Sequence, residues 1–515
     1  QAVTPGGDAA GATVLDGPVL PGIVNAHSHA FQRAIAGLTE QGGGNDDFWS
    51  WRDRMYSAAL RITPQQLQAI ATQLYAELLA GGYTQVCEFH YLHNDTHGTP
   101  YADPLEMSLA LVRAAQATGI GLTLLPTLYM RSGFGASGLR DDQRRFAGTP
   151  DSVLRIAQAV NALQLPCINA GIALHSLRAV DTGALMEASQ AARAAGWPVH
   201  IHIAEQTQEV ADCLAHHGQR PIEWLLTHAP VDARWNLVHA THAVAAEWQG
   251  LRQTGASVVV CPSTEANLGD GVFDLPGWAG QGGRWSIGSD SHVTRRAGEE
   301  LRLLEYAQRL TLRQRNIAAR VGGQASSAAV LMQGALGGGS AAAGVRMAGL
   351  AAGQRADFTV IQADAPALAG MPAQRLLDAW MFSSPDAPLR AAHVAGRPVP
   401  VVANSQGAPF GLALARTGRA TNLVLASPID DLGHPPVGAL LPATQVFDGL
   451  RCGSWRCWRW CRRLCWRARC CGHRRRSSSL RPALLRSATR SASAARGCRG
   501  RSTSPAIPRA RTAAP

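Results

Sequence analysis

The sequence predicts an α/β protein: a (β/α)8 barrel of the TIM type, with a small β-sandwich domain assembled from the two chain ends. Three observations carry this. Eight apolar stretches of strand character alternate with helical stretches between residues 19 and 292. Strand–helix alternation implies parallel pairing with right-handed crossovers, and eight units suffice to close a barrel. Strand-like pieces also flank the alternating region on both sides.

The first strand is read at 19–27, ending in "NAHSHAF". The helix "TPQQLQAIATQLYAELLAGG" follows, with Thr63 as N-cap, Pro64 at the first helical position and Gly81–Gly82 as the stop. "YTQVCEFHY" is the second strand. The order then repeats through "IGLTLLPTLYM", "AGIALHS", "WPVHIHIAE", "WNLVHATH", "ASVVVCPSTEA" and "GGRWSIGSDSH", each preceded by a helical stretch. No G-x-G-x-x-G follows an early strand, which removes the dinucleotide fingerprint of an open doubly wound sheet. The expected division is 1–20 as the opening of the small β domain, truncated ahead of Gln1, and 21–324 as the barrel. Residues 325–396 are read as the rest of the small domain, and 397–515 as an aberrant, disordered or out-of-frame tail.

Composition supports an enzyme-like body. The chain has 515 residues, 46% hydrophobic and 16% charged, with a formal charge of +12. That charge is misleading, because residues 451–515 hold 18 arginines and no acid, leaving 30 basic against 36 acidic side chains in the body. Seven of the 11 cysteines also lie there, in no zinc-finger spacing. A basic nucleic-acid-binding tail is the functional account of this segment. GC-rich DNA read out of frame accounts for its Arg, Cys, Ser and Ala runs better, so no nucleic-acid partner is expected. Four widely spaced body cysteines, no apolar run of 18 residues and no secretory opening point to a reduced, cytoplasmic protein without a membrane partner.

Chemistry gathers at the strand ends. His27 and His29 lie two apart on a strand, so both imidazoles face one side. For that pair alone, two chance histidines at a surface strand end are as good an account. Further along, His175, His200, His202, Glu205, His239, His242, Glu265, Asp290 and His292 fall at the ends of later strands. Histidines on five strands with a terminal aspartate point to one metal site. His27, His29, His202 and Asp290 would supply three nitrogens and one oxygen, leaving a position for water, which suits zinc; iron or manganese also occupy such sites. Glu205, three residues after His202, is placed to move protons beside the metal, and His239 to orient or deprotonate the water. His200 is read as a satisfied core histidine, and His216, His217 and His228 as helix residues. The chain has no lysine, so a carbamylated-lysine bridge between two metals is impossible and one metal is expected.

The motifs "PGIVNAHSHAFQRA", "HIHIAEQ", "LVHATH" and "GSDSH" resemble the metal motifs of the amidohydrolase superfamily, in its mononuclear aminohydrolase branch. With "DDFWSWRDRMY", "EFHYLH", "LLPTLYMRSGFG", "LHSLRAV" and "CPSTEANLGDG", residues 14–395 are similar to the N-formimino-L-glutamate deiminases of bacterial histidine degradation. The resemblance implies one zinc on His27, His29, His202 and Asp290. It implies proton transfer by Glu205 and His239 with Asp290, and substrate contacts from Gln32, Arg52, Tyr91, His175 and Arg178. It also implies a homodimer. Paired arginines suit a substrate with two carboxylates. A guanine or S-adenosylhomocysteine type deaminase is the alternative; a purine would want an apolar slot and amide donors instead.

Overall fold

A computed structural model of the chain describes residues 12–40 and 47–400, together with 422–423 and 441–442, which pair antiparallel with each other. Most of the expected tail therefore lies outside the described residues. Strand β1, Val19–Pro21, is followed after one residue by β2, Ile23–Ser28. The barrel continues with β3 (Tyr83–His90), β4 (Gly121–Leu128), β5 (Ile168–Ala170), β6 (Ile172–Leu174), β7 (Val199–Ile203), β8 (Trp235–His239), β9 (Ser257–Val260) and β10 (Arg284–Ile287). All pair in parallel, in the order β10–β9–β8–β7–β6–β4–β3–β2, with β5 a short lead-in beside β4. A parallel bridge between Ser28 and Asp290 joins the two ends of this order. β2, β3 and β4 are buried along their whole length, as parallel strands covered on both faces should be.

Two expectations need correcting. The seventh strand stops at Val260, because Pro262 cannot extend a ladder and instead opens the helix Pro262–Leu268. The division at 324/325 also separates the barrel from one of its own helices. Ser327–Ala343 packs on β10 and β2, and its last carbonyls tie into the barrel: Ala342 O lies 2.9 Å from His200 Nε2, and Ala343 O accepts from Thr123 Oγ1 at 3.0 Å. This helix, "SAAVLMQGALGGGSAAA", carries glycines where it meets the strands. A Cβ at Gly338 would overlap the Trp285 carbonyl. Small residues permit the close approach and leave no apolar stripe to read. His200 is thus a core histidine, as expected, though it is satisfied only at Nε2: its buried Nδ1 has no hydrogen-bond partner.

The small β domain takes β1 from before the barrel, and β11 (Phe358–Ile361), β12 (Leu389–Val394) and β13 (Arg397–Val399) from after it. The described residues supply one antiparallel sheet of the expected sandwich, in the order β1–β11–β12–β13. β13 carries that sheet three residues past the boundary expected at 396. Among the described residues, no helix is long and apolar enough to cross a membrane.

Candidate active site

Barrel closure and the histidine cluster are one piece of structure. Asp290 N donates to His27 O at 3.0 Å, and His29 N donates to Asp290 O at 3.3 Å, so the first and last strands meet through the residues that carry the polar side chains. The imidazoles converge: His27 Nε2 lies 2.9 Å from His202 Nε2, and Asp290 Oδ1 lies 3.5 Å from His27 Nε2 and 3.4 Å from His29 Nε2. Two ring nitrogens at 2.9 Å, with a carboxylate beside them and all but a few per cent buried, form a donor set that fits a tetrahedral N/O metal such as zinc. Burial lowers His27 to about 3, lowers His29, and lowers His202 well below the usual imidazole range. These are the neutral rings a metal requires. Burial works against the charge on Asp290, but the surrounding imidazoles of His27, His29 and His239 outweigh it and hold the group ionised.

Surrounding hydrogen bonds orient the cluster. His29 Nδ1 donates to Phe89 O at 2.9 Å, turning Nε2 toward Asp290. His292 Nε2 lies 3.1 Å from His29 O, and its Nδ1 is 3.0 Å from Ser289 Oγ. Glu88 accepts from Ser28 Oγ at 2.7 Å, from Ala30 N at 2.5 Å and from Tyr75 OH at 3.2 Å, clamping the segment that bears His29. Ala204, His239, Ala240, Asp290 and His292 all have φ between 45° and 68°. Five non-glycine residues in this sparsely populated region, clustered at the ends of three strands, mark a strained functional centre.

His239 stands between three carboxylates. Its Nε2 is 3.6 Å from Glu205 Oε1 and 3.7 Å from Asp290 Oδ2, while Nδ1 is 3.3 Å from Glu265 Oε1. Burial disfavours its charged form, yet Glu205, Glu265 and Asp290 raise it; a cation held by the neighbouring rings would oppose that rise and leave Nε2 able to accept a proton. Glu205 is pushed up to about 7 by burial, opposed by His239 and reinforced by Asp290 and Glu209. A carboxyl near neutrality can both give and take a proton.

Above the cluster is a cavity with an empty volume of about 420 Å³, open mouth included. Ten of the eleven residues singled out from the sequence line it: His29, Gln32, Arg52, Tyr91, His175, Arg178, His202, Glu205, His239 and Asp290. His27 lies behind it in the metal cluster. Gln32 Nε2 donates to Tyr91 OH at 3.3 Å. Arg52 is buried and Arg178 half-buried on the wall, and each has a buried guanidinium nitrogen with no hydrogen-bond partner (Nε of Arg52, Nη1 of Arg178). The ring of Trp49 packs against both, at 4.5 and 5.8 Å. His90 instead turns toward His93, away from the cavity. Trp49, the clamping role of the strand-end acid Glu88 and the Glu265–His239 contact were not legible in the sequence. Glu265 was visible as a strand-end carboxylate, but its partner depends on a helix that begins two residues after the strand.

A model of the amidohydrolase family matches residues 19–399, and the chain belongs to that family. Within it, formimidoylglutamate deiminase of Pseudomonas aeruginosa is 49% identical over 397 residues, spanning 77% of this chain and 87% of that protein. A 5-methylthioadenosine/S-adenosylhomocysteine deaminase of Halobacterium salinarum is 28% identical over 369 residues, 71% of this chain and 77% of its own. Among solved structures, an amidohydrolase from Brucella melitensis superposes with a TM-score of 0.70 at 43% identity, covering 75% of this chain and 87% of that one.

Proposed function

We propose that this chain hydrolyses N-formimino-L-glutamate to N-formyl-L-glutamate and ammonia, using one zinc ion held by His27, His29, His202 and Asp290. The observation that carries this reading is the pair of guanidiniums on the cavity wall, Arg52 and Arg178. Neither has an ion-pair partner among the described residues, and both line a cavity that ends on the histidine–aspartate cluster. Enclosed cations without a direct ion-pair partner call for an anionic ligand. A dicarboxylate with a reactive formimino carbon satisfies both ends of the cavity, and a purine does not. The relative from Pseudomonas aeruginosa carries the name of this activity.

Arg52 and Arg178 clamp the two carboxylates, and Gln32, Tyr91 and His175 line the path between them and the reacting carbon. Zinc, when bound, acidifies a water molecule and so supplies a nucleophile at neutral pH. His239 and Asp290 take up the proton of the attacking water. Glu205 delivers a proton to the imino nitrogen. A second proton transfer lets ammonia depart, which is required because amide anion is a very poor leaving group. A cytoplasmic homodimer with one zinc per subunit completes the reading.

The test is ammonia release from N-formimino-L-glutamate by zinc-loaded protein, with Glu205→Gln as control. Turnover that the substitution lowers about 10²–10⁴-fold, with zinc retained, supports the assignment. A folded, zinc-bearing protein without turnover overturns it and directs the search to purine-type substrates.

A further inference from the structure

Glu265 lies in the first turn of the helix that follows β9, and its side chain is 4% exposed. Its Oε1 accepts from Cys261 N at 2.8 Å and stands 3.3 Å from His239 Nδ1. The opposite ring nitrogen, Nε2, faces Glu205 and Asp290. His239 itself sits at φ 68°, a conformation a histidine seldom adopts without surrounding support. An imidazole with one nitrogen on a buried carboxylate has its tautomer and its ring plane set by that contact.

We propose that Glu265 is a positioning residue for His239: its carboxylate accepts the Nδ1–H, holds the ring plane, and so aims Nε2 at the reacting water. The proposal rests on the deimination reading above. It separates Glu265 from its other task, which is to satisfy the Cys261 N–H at the start of the helix. A neutral acceptor could do that second task, but only a carboxylate gives the His239 N–H a charge-assisted bond.

Glu265→Gln distinguishes the two tasks. The amide oxygen takes the Oε1 position and keeps the Cys261 bond, but it faces Nδ1 without the negative charge that strengthens the bond to the ring. With zinc-loaded full-length protein and N-formimino-L-glutamate, kcat is expected to fall about 10–100-fold. KM should stay within about twofold, and zinc content and the unfolding midpoint should be unchanged. In an H239N background, assayed at raised enzyme concentration, the same change should alter kcat by less than about twofold, because there is no longer a ring to orient. Wild-type kcat in E265Q, an equal loss in both backgrounds, or a loss that tracks departed zinc overturns the proposal. An inactive wild-type protein overturns the deimination reading instead, so the two failures are told apart in one assay series.

Discussion

Gly288→Ala tests whether barrel closure and metal binding are the same interaction. A Cβ at Gly288 would lie 2.6 Å from the His27 Cβ and 2.9 Å from both the His27 backbone N and O, against 3.4–4 Å for ordinary contact. The neighbours are backbone and a buried ring, so nothing swings aside; β2 and β10 must part by roughly 1 Å. That stretches Asp290 N to His27 O and His29 N to Asp290 O beyond bonding distance, at about 1 kcal/mol each. Residual overpacking adds about 1–3 kcal/mol, for a total of roughly 3–5 kcal/mol. The same shift moves the Asp290 carboxylate relative to the His27 and His29 rings, whereas metal sites tolerate only about 0.2 Å of misplacement. The variant should unfold about 5–10 °C lower, retain less than about half the zinc per chain after dialysis, and lose about 100-fold or more in kcat. Thermal unfolding, zinc analysis and ammonia release read these three quantities. A variant with wild-type zinc content and an unchanged midpoint would show that the seam does not hold the ligands, and the reasoning would fail.

Other perturbations separate the remaining parts of the site. Arg178→Met should lower kcat/KM for N-formimino-L-glutamate by about 30-fold to several thousand-fold, equivalent to about 2–5 kcal/mol, with zinc content intact. It should leave turnover of formamidine, which has no carboxylate, nearly unchanged; an equal loss on both substrates refutes the clamp. Dialysis against dipicolinate should abolish activity and lower the unfolding midpoint, and added zinc should restore both; a chelated protein of undiminished activity would exclude the metal reading. Glu300 is pushed up by burial to about 8, despite accepting from Ser263 N at 2.9 Å and Ser263 Oγ at 2.6 Å. The folded chain then holds a proton that the unfolded chain releases near 4.5, so this group's contribution falls as pH rises, by about 1.4 kcal/mol per unit between those values. Urea midpoints from pH 5 to 8 should therefore decline less steeply in Glu300→Gln than in wild type, and parallel curves would sink that account.

The barrel was legible because buried parallel strands read as continuous apolar runs and because its helices carry strong punctuation. Thr63 and Gln66 form the reciprocal cap that "TPQQ" announces, with bonds of 3.2 and 3.0 Å. The histidine–aspartate cluster was legible because alternation along an extended chain sets His27 and His29 to one side, and because strand ends in a barrel share one mouth. What escaped was set by tertiary contact. The helix Ser327–Ala343 has no apolar stripe, since glycines meeting Trp285 and Val24 do the packing that leucines do elsewhere. Glu88 looked like one more strand-end acid, but it faces Ser28, Ala30 and Tyr75 rather than the metal cluster. Its role follows from the β2–β3 register, which sets Ser28 opposite Glu88, and register is not written in either strand alone.

The small sheet acquires a purpose from the same geometry. β1 pairs with β11 in that sheet, and after Gly22 alone the chain enters β2, whose far end bears His27. Gly22 N donates to Asp357 O at 2.9 Å, so the junction is itself tied to the segment that leads into β11. Asp357 is buried and in turn is held by Arg355, with Nη2 to Oδ2 at 2.7 Å, and Arg355 Nη2 also reaches Gln85 Oε1 on β3 at 2.9 Å. A continuous path of backbone and polar bonds therefore runs from the small sheet to the strand that bears His27 and leads into His29. The sheet lies away from the chemistry, yet it sets where β2 begins. A strand only six residues long cannot absorb an error at one end without passing it to the other.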